Sequence, residues 1–69
     1  MTLFDIIKQI KERRKILDVT QETLSEISGV GLRTLKQFES GKGNPTLETL
    51  QKICEALGLD ITLTVKKTE

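Results

Sequence analysis

A chain of 69 residues with a formal charge of +1 is about half the size of a typical domain, so it reads as one domain. Its 36% apolar and 30% charged residues make a globular balance and exclude a disordered segment, although so small a core gains from burial against a second copy. With no His, Trp or Tyr and a single Cys, the chain lacks His-based triads, Cys/His metal sites and an internal disulfide, so no enzyme, metal or cofactor is expected. The near-zero charge also argues against nucleic acid, unless the charges are sorted by position.

The N-terminus lacks the apolar stretch of a signal peptide, and no apolar run approaches the roughly 18 residues of a membrane span. A reduced cytoplasm and no membrane partner are the expectation. Thr2 and Asp5 have capping-box spacing at the start of a first helix, where Leu3, Ile6, Ile7, Ile10 and Leu17 recur at helical intervals. Among them stand Lys8, Lys11, Arg13, Arg14 and Lys15, which composition alone reads as a solvated face. Asp18 and Val19 break the pattern. Thr20 can cap a second helix carrying Leu24 and Ile27, and Gly29 suits the left-handed position at its end.

The segment from Gly31 to Ser40 sorts its residues by face. At 100° per residue, Leu35 and Phe38 point one way, while Arg33, Lys36, Gln37 and Ser40 cluster on the other. Residues 41–45 read as a turn-rich loop. Thr46 opens a fourth helix with Leu47, Leu50, Ile53, Cys54 and Leu57 on its apolar face, and Gly58 closes it. Cys54 falls in that pattern and reads as a small core residue. From Leu59 to Lys66, Ile61, Leu63 and Val65 alternate with Thr62, Thr64 and Lys66 at strand period. A lone strand leaves its backbone groups unpaired, and the simplest partner is the same strand of a second copy; a frayed terminus is the alternative.

A helix, a short turn containing Gly, and a helix with a polar outer face describe a helix-turn-helix, whose second helix enters the DNA major groove. Leu24, Ile27, Val30, Leu35 and Phe38 are expected to lock its two helices. Residues 20–25, Gly29-Val30, Thr34-Leu35, Phe38-Glu39 and Gly41 resemble the Cro/cI-type (XRE) repressor family from about Ile10 through Gly58. The resemblance implies an all-α, compact domain of four to five short helices that binds double-stranded operator DNA as a homodimer. It implies base contacts from Leu32, Arg33 and Gln37, and phosphate contacts from Gln21, Lys36, Lys42 and Asn44. It further implies a structural ion pair between Arg14 and Glu39. Three positions depart from the family pattern: Gly31 in place of a Ser or Thr cap, Arg13 at a usually apolar position, and Leu32 where polar residues are common. Leu32 either meets a thymine methyl or covers the flank of its helix.

A Cro/cI-type domain ending in a short strand is similar to the Hip-type antitoxins, which repress their own operon and bind a HipA-like kinase toxin. That resemblance implies a C-terminal strand, with Ile61, Leu63 and Val65 pairing across the dimer. Residues 1–58 are thus expected to form the DNA-binding domain and residues 59–69 the dimerising tail. The alternative is a protein-interaction module of the same fold that does not bind DNA.

Overall fold

Three of the four helices found among the described residues start on a threonine, whose hydroxyl accepts one of the free amides of the first turn. The computed structural model describes residues 1–66. In chain order the helices are α1 (Leu3–Ile16), α2 (Gln21–Ser28), α3 (Leu32–Glu39) and α4 (Leu47–Ala56). The Asp5 amide donates to Thr2 Oγ1 at 3.2 Å and the Thr2 amide donates to the Asp5 carboxylate at 2.9 Å, which completes the predicted capping box. Hydrogen bonds from the Thr2 backbone and hydroxyl hold the Asp5 carboxyl below its ordinary pKa.

Helices α1, α3 and α4 stop by one shared device. The amides of Val19, Lys42 and Leu59 reach back to the carbonyls of Arg14, Gln37 and Cys54 at 3.0, 2.9 and 2.8 Å. Each bond spans a left-handed residue: Asp18 (φ 56°), Gly41 (φ 81°) and Gly58 (φ 71°). Asp18 is the one non-glycine residue of positive φ among the described residues, and the short polar side chain of Asp tolerates that conformation.

Helix α2 packs against both α3 and α4, and α1 packs against α3. Their shared core is Ile7 and Ile10 of α1, Leu24 of α2, Leu35 and Phe38 of α3, and Ile53 and Cys54 of α4, with Val30 and Leu57 from the adjoining turns. Burial pushes the Cys54 thiol pKa up, so the group stays neutral and packs as an apolar residue.

Four residues of the predicted apolar faces lie outside the core: Leu3 and Leu17 at the two ends of α1, and Ile27 and Leu47. Ile27 is 55% exposed, because the eight-residue α2 buries one narrow stripe of Gln21, Leu24, Ser25 and Ser28. At 100° per residue Ile27 sits roughly 110° from the middle of that stripe. Leu47, the first residue of α4, is 60% exposed. The turn is therefore locked by Leu24, Val30, Leu35 and Phe38 without Ile27.

Residues 59–66 join no strand in the single chain, which has no second strand for them to pair with. Among the described residues no backbone hydrogen bond follows that of Leu59. Ile61 is exposed, and Leu63 and Val65 are almost fully so. The last three residues of the predicted tail, 67–69, lie outside the described residues. No described helix is long and apolar enough to cross a membrane.

Candidate nucleic-acid interface

The connection between α2 and α3 is three residues long, and Gly29 begins it in the left-handed conformation (φ 75°). Two serines of α2 brace it. Ser25 donates its hydroxyl to the Val30 carbonyl at 2.6 Å, and the Val30 amide donates to Ser28 Oγ at 3.2 Å. Val30 itself is buried. The turn is thus fixed by hydrogen bonds and packing together, and it sets the direction in which α3 leaves.

On α3 the two faces separate as the sequence predicts. Leu35, Phe38 and Glu39 are buried, whereas Arg33, Lys36 and Gln37 are exposed on the opposite arc. Leu32 is half-buried at the border of the two arcs. Gly31 caps α3 with no side-chain hydrogen bond, so the first-turn amides keep no partner from that residue. Lys42 and Asn44 are exposed in the loop after α3.

Glu39 is the buried charged residue of the site, and its surroundings satisfy it. Arg14 holds it with a two-pronged contact, Nε to Oε2 and Nη2 to Oε1, each at 2.8 Å. The third nitrogen of Arg14, Nη1, donates to the Val19 carbonyl at 3.0 Å, and Gln21 Nε2 donates to Glu39 Oε1 at 3.2 Å. One carboxylate therefore ties the end of α3 to α1, to the α1–α2 turn and to the start of α2. The predicted Arg14–Glu39 pair is present, and Gln21 joins it. With Glu39 neutralised, Arg33, Lys36 and Lys42 face solvent with no free acid on α3 itself.

Arg13 has a structural role that sequence reasoning missed. Its Nε donates to the Leu57 carbonyl at 2.9 Å, which caps the C-terminal end of α4 with a cation. The position reads as a misplaced charge in sequence because its partner is 44 residues away. Among the described residues no group of three or more His, Cys, Asp or Glu side chains is arranged to hold a metal ion.

The family model for the helix-turn-helix matches residues 10–63 of this chain. The chain belongs to the helix-turn-helix family, as its resemblance to Cro/cI-type regulators implies. It is 42% identical over 57 residues to the cryptic phage CTXphi transcriptional repressor RstR of Vibrio cholerae serotype O1, covering 77% of this chain and 51% of the relative. An uncharacterized HTH-type transcriptional regulator of Haemophilus influenzae is 34% identical over 58 residues, 84% of this chain and 59% of its own length. Another such regulator, from Methanothermobacter thermautotrophicus, is 43% identical over 49 residues, 71% of each chain. The chain spans 51% and 59% of the length of the first two relatives. No solved structure matches it.

Proposed function

We propose that this chain is a sequence-specific DNA-binding transcriptional repressor that acts as a homodimer on a palindromic operator. The observation that carries the reading is the two-sided α3, anchored by Leu35, Phe38 and Glu39 and presenting Arg33, Lys36 and Gln37 outward. The relatives' names, a repressor and two transcriptional regulators, support it. In this reading α3 lies in the major groove, and the two α3 helices of a dimer enter successive grooves about 34 Å apart. Arg33 and Gln37 read base edges through paired hydrogen bonds, and Leu32 adds an apolar contact. Gln21, Lys36, Lys42 and Asn44 hold phosphates and fix the register. Residues 1–58 carry these contacts.

Replacing Arg33 with Ala is expected to weaken binding to the operator by about 1–3 kcal/mol and to relax the preference at one base pair. Fluorescence anisotropy on operator and scrambled duplexes measures both effects. An equal loss on the two duplexes would make Arg33 a phosphate contact instead.

Residues 59–69 form the dimerising part, through Ile61, Leu63 and Val65. Their alternation and the exposure of Leu63 and Val65 support pairing with a second copy. Truncation after Asp60 should shift sedimentation from dimer to monomer, and a truncated chain that stays a stable dimer would sink this assignment. The same tail supports a narrower role, an autoregulating antitoxin bound to a HipA-like kinase toxin. Co-purification of the chain with a kinase encoded beside it tests that role, and a kinase that fails to bind would remove it without touching DNA binding.

A further inference from the structure

We propose that a basic groove beside α3 is a second DNA contact, which grips phosphates flanking the bases that α3 reads. The inference rests on the DNA-binding reading above and extends it to α1. The groove, about 480 Å³ in volume, runs between α1 and the turn that ends α3. Lys8, Lys11 and Lys15 line one wall at intervals of three and four residues, a single stripe about 10 Å long on α1. Ser40 and Gly41 form the other wall, and they lead directly into Lys42. The groove is therefore continuous with the loop assigned to phosphate contact.

Charge selects the occupant. Two acids line the groove, and one of them, Glu39, is held by Arg14 at 2.8 Å. That leaves three lysines facing Glu12 alone, and none of the three is in an ion pair among the described residues. Like charges spaced in this way along a helix repel one another, and a polyanion laid across them relieves the repulsion.

The backbone excludes a discrete anion. The amides of Ser40, Gly41 and Lys42 are spent on the carbonyls of Lys36, Phe38 and Gln37, so the turn has no cradle of free donors for a single phosphate. Binding here comes from side-chain cations spread along a line. Duplex DNA, with one charge per roughly 1.7 Å of helix axis, matches that distribution. An acidic protein segment is the competing occupant, but the groove's continuity with Lys42 and the end of α3 favours DNA.

The test compares the full chain with a Lys8→Gln/Lys11→Gln/Lys15→Gln variant, titrated against an operator duplex over a range of salt concentrations. The slope of log K against log salt should become shallower by about 0.9 per lysine, which is about 2.7 per protomer and about 5.4 for the bound homodimer. The ratio of operator to scrambled binding should stay the same, because phosphate contacts carry no sequence information. A triple Lys→Arg variant should keep the parent slope. The single variants Lys8→Gln and Lys15→Gln, at exposed positions, should each reduce the homodimer's slope by about 1.8 and so stand in for a triple variant that folds poorly. A steep slope in the parent that the Gln variants leave unchanged would overturn the groove and spare the DNA-binding reading. A parent that binds no DNA would overturn both. Unchanged DNA binding together with lost binding to a poly-glutamate peptide would assign the groove to a protein partner and overturn it too.

Discussion

Replacing Glu39 with Ala should destabilise the chain by about 3–5 kcal/mol, a large share of the stability that a domain of this length holds at ~0.05–0.15 kcal/mol per residue. The Glu39 side chain is 4% exposed and that of Arg14 is 14% exposed. Removing the carboxylate leaves a guanidinium largely out of water with one carbonyl, that of Val19, as its remaining acceptor. It also frees Gln21, which loses its acceptor on α3. Much of the expected loss is thus the penalty of an orphaned cation. Glu39→Gln should cost less, since its amide oxygen can still accept from Arg14. A double replacement of Arg14 and Glu39 by Met should fall short of the sum of the two single losses. Urea denaturation of the parent, Glu39→Ala, Glu39→Gln, the single variants Arg14→Met and Glu39→Met, and their double variant measures these differences. A loss below about 1 kcal/mol for Glu39→Ala would class the contact with exposed pairs and undercut its role in orienting α3.

The second large effect belongs to Leu24. This side chain is fully buried on the helix that touches both α3 and α4, so the cavity left by Leu24→Ala opens at the junction of three helices. The expected cost is about 2–5 kcal/mol, again read from denaturation. Affinity for DNA should fall with the folded fraction, and the base preference of the molecules that remain folded should be unchanged. Ile27→Ala on the same helix should cost far less, because Ile27 is exposed. Equal losses at the two positions would contradict the packing described here.

The two sites contrast in how readable they are from sequence. Thr2, Thr20, Thr46, Gly29 and Gly58 act on neighbours within a few residues, and their caps and turns were readable at once. The division of α3 into buried and exposed arcs followed from periodicity alone. Ile27 is hard to place from sequence because the apolar period of a two-turn helix does not define which stripe its neighbours will cover. The role of Arg13 is hidden because its acceptor is the end of another helix. Asp18 reads as a break, but the left-handed cap that it supplies is visible only in the backbone.

The candidate interface divides in the same way. Arg33, Lys36 and Gln37 were legible as a polar face, whereas the link between Arg14 and Glu39 came through family resemblance and spans 25 residues. The basic residues of α1 read as a solvated face in the sequence, and only the fold sets the turn at Ser40 and Gly41 opposite Lys8, Lys11 and Lys15. The +1 charge of the whole chain averages these arrangements away. The tail is the reverse case: its alternation is plain in the sequence, but a strand needs a ladder partner that one chain does not contain.

If the exposed face of α3 reads a specific DNA sequence, the chain must prefer its own operator over other DNA of the same length. The most direct measurement titrates the full chain against the duplex upstream of its own gene and against a scrambled duplex of equal length, at about 50 and about 200 mM salt. Upstream binding should be tighter than scrambled binding by roughly a thousandfold or more, with both affinities falling steeply as salt rises. Equal affinity for the two duplexes, or no binding to either at the lower salt, would contradict this reading.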